Sequence, residues 1–231
     1  MTRVVVPAVL FVLTLSVNRG LAAQEAAKET FFIIPHTHWE GAVFKTREEY
    51  LEIGLPYILR ALRLLKAHPN YRFVLDQACY VKPFLERYPE GEATFRKFVD
   101  EGRLAIVGGT DVMLDVNMPG GESFVRQVLY GKGYFRKKLG VDVTVGWQLD
   151  TFGHHGQMPQ LLKLGGYKSF WFYRGVPKAN TPSEFLWQGI DGSRIAAFWL
   201  GVVGFTGQIP ALMLTPLAGA LAVVPVLARR A

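Results

Sequence analysis

"VTVGWQLDTFGHHGQMPQLLKLGGYKSFWFY", residues 143–173, decides the fold class. Its first eight residues are rich in β-formers and end on Asp150, so they read as a strand. "QMPQLLKLGG" (157–166) reads as a short helix stopped by two glycines, and "KSFWFY" (168–173) as a second strand. A strand, a helix and a strand within about thirty residues is the unit of a parallel sheet, because parallel neighbours need a crossover.

Outward from this unit the same alternation continues. "FFIIP" (31–35) is a strand, and "TREEYLEIGLPYILRALRLLKAH" (46–68) a helix. Thr46 and Glu49 have capping-box spacing, and Ile58, Leu59, Leu62 and Leu65 form one apolar face. "YRFVLD" (71–76) is a strand, followed by a helical stretch to about Glu101 with Gly102 at its stop. "RLAIVGG" (103–109) is a strand, and "GESFVRQVLYGKGYFRKKLG" (121–140) a helix with basic residues in its last turns. "EFLWQGIDGSRIAAFWL" (184–200) reads as a hairpin about Asp191-Gly192. The predicted class is α/β: a parallel sheet or an incomplete seven-stranded α/β barrel with covering helices.

In such folds sites form at the C-terminal ends of the strands. The residues there are His36, His38 and Glu40 after the first strand, Asp76 after the second, and Asp111 and Asp115 after the third. Asp150, His154 and His155 follow the fourth, and Arg174 follows the fifth. Only five histidines occur in 231 residues, and two stand in "HTHWE" (36–40). Imidazole with carboxylate suits a divalent metal, zinc ordinarily. His38 and Glu40, two apart on extended chain, point the same way, and Asp150 supplies a third donor. As a carboxylate at a strand end, Asp150 is a nucleophile, a metal ligand or both; His154 and His155 either orient it or contact substrate. Trp39, Phe44 and Phe152 are candidates for packing against sugar rings, while Trp171 and Tyr173, inside a strand, read as core.

Residues 1–23 carry Arg3, a short apolar run and a small-residue exit at "GLAAQE", the pattern of a cleaved signal peptide. That predicts a secreted or periplasmic protein with no stable membrane span. Cys79 is the single cysteine, so no internal disulfide forms, and its apolar neighbours predict a buried thiol. Arg3, Arg19, Arg229 and Arg230 supply four of the seven net positive charges from end segments without acids, and no basic stripe interleaved with aromatics exists, which argues against nucleic acid as a partner. Residues 207–231 have no acid, no lysine and no amphipathic period; they read as an atypical apolar tail that adds nothing to a domain spanning 24–206.

"HTHWE", "GESFVRQVLYGKGYF" and "LDTFGHHGQMPQLLKLGGYKSF" followed by Arg174 together resemble the N-terminal catalytic domain of glycoside hydrolase family 38, the zinc-dependent α-mannosidases. The resemblance spans about residues 31–200 and implies a retaining mechanism on terminal α-mannosides of an oligosaccharide or glycan, with Zn2+ as cofactor. It implies that His38, Glu40 and Asp150 bind zinc and that Asp150 is also the nucleophile. Arg174 then lies near the nucleophile, and Trp39, Phe152, Asp115, His36 and His154 belong to the substrate site. Glu40 stands where the family has aspartate, and Val43 where many members have a sugar-stacking tryptophan. Family members continue for hundreds of residues, which supply the acid/base carboxylate and a further zinc-binding histidine. The alternatives at this level are a polysaccharide deacetylase-like metal hydrolase and an inactive carbohydrate-binding remnant.

Overall fold

The computed structural model describes residues 30–37, 45–174, 182–199, 201–203 and 221–226, with backbone alone at 30–33, 201–203 and 221–226. His38, Trp39, Glu40, Val43, Phe44, residues 1–23 and most of the tail lie outside the described residues. β1 (Thr30–Pro35) leads to α1 (Arg47–Ala67), then β2 (Phe73–Leu75), α2 (Ala78–Arg87), α3 (Glu92–Asp100) and β3 (Leu104–Ile106). α4 (Gly121–Leu139), β4 (Val145–Gln148), α5 (Met158–Leu164) and β5 (Ser169–Phe172) follow. The last strands are β6 (Glu184–Gln188), β7 (Arg194–Trp199), β8 (Gly201–Val203) and β9 (Leu221–Val226).

Local chemistry sets the boundaries. Thr46 and Glu49 form the reciprocal capping box that starts α1, and Pro56 lies inside that helix without ending it. The stretch read as one helix to Glu101 is two. Pro89 has no N–H and disfavours α-geometry at the residue before it; Tyr88 leaves the helix at φ −124°, ψ 61°, and a 3-10 turn (Pro89–Gly91) intervenes. α4 ends where Gly140 turns left-handed (φ 72°).

The strands form an arc. His36 bridges to Val74 in parallel, β2 pairs with β3 in parallel, and the Gly108 N–H donates to the Val145 carbonyl at 2.8 Å. β4 pairs with β5, and β5 with β7, all parallel; β6 returns antiparallel to β7 through the hairpin at Gly189–Ser193. Among the described residues the arc does not close into a barrel. β9 lies hydrogen-bonded between β1 and β8, with Val223 opposite Gly201. Six residues of the tail therefore join a sheet. A run without charged side chains suits such a position beside a bare strand edge.

Side-chain alternation divides the core. Phe170 and Phe172 of β5 join the main core under the helices with Leu55, Ile58, Phe84, Phe95 and Phe135. Trp147 and Leu149 pack with Val107, Ile34, Val74, Trp171 and Tyr173 in a second cluster. With a period of two, the second cluster lies on the opposite face of the sheet. Gly146 is small for a reason: a Cβ there would stand 3.0 Å from Phe170 and 3.1 Å from Leu162. No helix among the described residues is long and apolar enough to cross a membrane.

Candidate functional site

Asp150 stands where the β4 ladder has just ended, one residue past the buried Leu149. Its backbone is left-handed (φ 67°), the single described non-glycine residue with positive φ. That conformation costs a residue with a Cβ roughly 1 kcal/mol, and aspartate tolerates it better than most. Three residues on, Gly153 sits at φ 129°, and a Cβ there would come within 2.9 Å of Asn117 Nδ2. The chain thus reverses immediately after β4 and packs closely on the loop that follows β3.

The reversal brings Asp150 onto Arg174, at the end of β5. The two form an ion pair through Arg174 Nε and Asp150 Oδ1. The Arg174 guanidinium also lies over the Phe152 ring, with Cζ 4.9 Å from the centroid. Phe152 is 78 % exposed, so a large apolar ring stands in the open beside a paired carboxylate. Asp150, Phe152 and Arg174 form one constellation.

His154 is set deeper. Its ring meets Phe170, Phe172 and Trp187 edge-on at 5.3, 4.9 and 6.1 Å between centroids. Burial pushes its pKa down to about 4. The Arg174 backbone opposes the shift without reaching hydrogen-bond geometry at the ring; His155 adds to the shift, and Asp115 opposes it weakly. The imidazole is therefore neutral at neutral pH. Asp115 has one carboxylate oxygen buried without a hydrogen-bond partner. His36 is buried at the end of β1, its ring edge-on to Trp147 at 5.6 Å, with Nδ1–H donating to the Thr37 carbonyl at 2.8 Å.

Two strand-end acids follow their own courses. Asp111 is ion-paired with Lys82 in a surface groove lined also by Leu129, Tyr130 and Tyr134. Asp76 is buried beside Gln77, whose Nε2 approaches Asp76 Oδ2 at 3.4 Å. Sequence reasoning missed Gln77 and Met113. Gln77 Oε1 accepts the Met113 N–H at 2.8 Å, and Met113 Sδ accepts the Leu149 N–H at 3.2 Å. Neither residue type, at its spacing, signals a site.

The metal implied by the resemblance would be held by His38, Glu40 and Asp150. Imidazole with two carboxylates is a zinc-type donor set. Asp150, the described donor, stands turned out of the ladder at a strand end. The residues present fit the group by chemistry. No cluster of three His, Cys, Asp or Glu occurs among the described residues, from which His38 and Glu40 are missing.

Comparison with known proteins gives a family. Residues 28–212 match the model of the glycosyl hydrolases family 38 N-terminal domain. The human protein alpha-mannosidase 2C1 is 33 % identical over 172 residues, covering 73 % of this chain and 16 % of that protein. Alpha-mannosidase G of Dictyostelium discoideum is 32 % identical over 191 residues, covering 74 % and 17 %. The crystal structure of an alpha-mannosidase from Enterococcus faecalis V583 superposes with a TM-score of 0.66 at 29 % identity, over 72 % of this chain and 19 % of that one. The chain thus spans less than a fifth of the length of these relatives.

Proposed function

The chain belongs to glycosyl hydrolase family 38, and from that premise we propose that it acts in a retaining α-mannosidase-type hydrolysis, with Asp150 as the nucleophile and, with His38 and Glu40, one of the three zinc ligands that this stretch of chain contributes. The observation that carries the reading is the Asp150–Arg174 pair beside the exposed Phe152, at the joined ends of β4 and β5.

Asp150 attacks the anomeric carbon as the bond to the leaving oxygen breaks. That oxygen takes its proton from an acid carboxylate which the family supplies outside this stretch of chain. Water then attacks the same carbon, giving a proton back to that carboxylate as the bond to Asp150 breaks, and two inversions give retention. Arg174 holds the carboxylate in one orientation, and Phe152 offers its ring to the C–H face of the sugar. The zinc supplies Lewis-acid stabilisation of substrate oxygens when bound. The proposed substrate is a terminal α-mannoside of an oligosaccharide or glycan. Residues 1–23 add export to the reading; a secreted chain whose N-terminal sequence begins near Gln24 is the outcome that supports it.

The test is hydrolysis of an aryl α-mannoside, with the configuration of the first-formed sugar read by NMR, in this chain and in a longer relative carrying the same domain. Retention, lost in Asp150→Asn because an amide is neither nucleophile nor good ligand, is expected. Ordinary turnover by Asp150→Asn, or inversion, would refute the assignment.

A further inference from the structure

We propose that Met113 is a positioning residue for Asp150, acting through the backbone amide of Leu149; this rests on the reading of Asp150 as the reacting carboxylate. The Gly108 N–H donates to the Val145 carbonyl at 2.8 Å, so Val145, and with a period of two Leu149, turn their peptide groups to the β3 side, where β3 has ended at Ile106 and no backbone carbonyl among the described residues serves the Leu149 N–H. Leu149 is 2 % exposed, and an N–H left unpaired at such a position is destabilising. The Met113 thioether accepts that N–H at 3.2 Å, immediately before the chain turns left-handed at Asp150.

Met113 is itself fixed. Its N–H donates to Gln77 Oε1 at 2.8 Å, and Gln77 is buried at the end of β2. Gln77 precedes α2 yet makes no side-chain cap there. The first amides of α2 are served instead by the loop after β3: Ala78 N–H donates to Thr110 O at 3.1 Å, and Cys79 N–H to Asp111 O at 2.9 Å. That leaves the Gln77 amide to reach Met113. The result is a strut of hydrogen bonds from the end of β2, through the loop after β3, to the residue before Asp150. Methionine suits the last joint, because an unbranched side chain can carry a weak, polarisable acceptor to an amide without burying a second polar group that needs its own partners.

Met113→Leu keeps the apolar volume and removes the acceptor; Met113→Gln restores an acceptor at similar reach. The test uses the whole chain and two signals that need no substrate: hydrogen exchange of the Leu149 amide, and the NMR resonance of Arg174 Nε–H. In Met113→Leu, Leu149 exchange is expected to rise tenfold or more and the Arg174 signal to shift, while the Val107 amide, which donates to Leu75 O, keeps its protection. Met113→Gln is expected to bring both signals back. Where turnover is measurable, kcat falls about tenfold in Met113→Leu at unchanged KM. Unchanged Leu149 exchange and an unmoved Arg174 signal in Met113→Leu would overturn the proposal. So would a Leu149 amide in the unaltered chain that exchanges as fast as an exposed loop, a measurement that stands even if the leucine variant does not fold. Absence of turnover in the unaltered chain and its longer relatives counts against the catalytic reading alone, since the two NMR signals still decide the strut.

Discussion

Lowering the pH from 7 to 5 should destabilise the fold through His154. The ring is enclosed by Phe170, Phe172 and Trp187, and burial holds its pKa at about 4, against 6.5 for an unhindered histidine. Between those two values the unfolded chain binds a proton that the folded chain refuses, so stability rises with pH across this window. The contribution is fully present above about pH 6.5 and is lost as pH falls toward 4, below which this group adds no further change. From pH 7 to pH 5 the loss comes to about 2 kcal/mol, or about 1 M in the urea midpoint for a protein with an m-value near 2 kcal/mol/M. Asp115 and the Arg174 backbone, which favour the charged ring, and His155, which disfavours it, are already included in the direction and size of the shift. The assay is urea unfolding followed by tryptophan fluorescence at pH 7, 6 and 5, at constant ionic strength, for the unaltered chain and His154→Phe. Other carboxylates and histidines titrate equally in both proteins, so the difference between their pH slopes isolates residue 154. The phenylalanine variant should lose about 2 kcal/mol less than the unaltered chain over the interval. Parallel slopes would mean that the ring is solvated in the folded protein, and the account of the aromatic cage would fail.

Two further outcomes follow from packing. Gly131→Ala should destabilise by about 1–3 kcal/mol, because a Cβ there would run into the backbone at Gly109 and Thr110 and come within 2.7 Å of the Asp111 nitrogen. Gly133→Ala, on the same helix with nothing within 4 Å, should instead stabilise by about 1 kcal/mol; equal stabilities for the two variants in urea would contradict the close contact between α4 and the loop after β3. Cys79, its thiol pushed up to about 12 by burial and then by Asp76 and Asp111, should react with iodoacetamide at pH 8 about a thousandfold more slowly folded than in urea, and a comparable rate in both would refute its enclosure.

Much of the architecture was legible in the sequence because it depends on periods and punctuation. The capping box at Thr46, the glycine after α4 and the strand–helix–strand unit around Asp150 each carry a local signal, and each appears as an element in the structure. The break within the helical stretch that ends near Glu101 has its signal too, at Pro89, which disfavours α-geometry at Tyr88. The rule that strand ends gather polar residues placed Asp150 and Arg174 on one side of the sheet, and their ion pair agrees with it. The same rule could not say that Asp111 would be drawn to Lys82, because that depends on how α2 lies against the loop after β3. Nor could it show the left-handed turn at Asp150, which no residue type in that position demands. Gln77 and Met113 were invisible for a similar reason. Their contribution is a pair of hydrogen bonds to backbone amides, 36 residues apart in each case, and has no sequence pattern.

The left-handed turn explains why the site needs so much of the fold behind it. A carboxylate delivered by side-chain rotation would depend on its own rotamer and one or two neighbours. Asp150 is delivered by a backbone reversal that costs roughly 1 kcal/mol, so it persists only where its surroundings over-determine it. Four contacts do so. Arg174 pairs with the carboxylate from β5, and Met113 holds the preceding amide from the loop after β3. Gly153 closes against Asn117, and His154 anchors the far end of the turn among Phe170, Phe172 and Trp187. No single one of these is strong, since a part-exposed ion pair contributes at most about 1 kcal/mol and the thioether bond is weaker than an amide one. Their value lies in acting at both ends of one short turn, on Leu149 and Asp150 and on Gly153 and His154, so that releasing one end frees the other. Substitutions at Met113 and His154 should therefore couple: the loss of Arg174 Nε–H protection in a double variant, Met113→Leu with His154→Phe, should exceed the sum of the two single losses. Simple additivity would show instead that each contact holds its own residue and that the turn is not a unit.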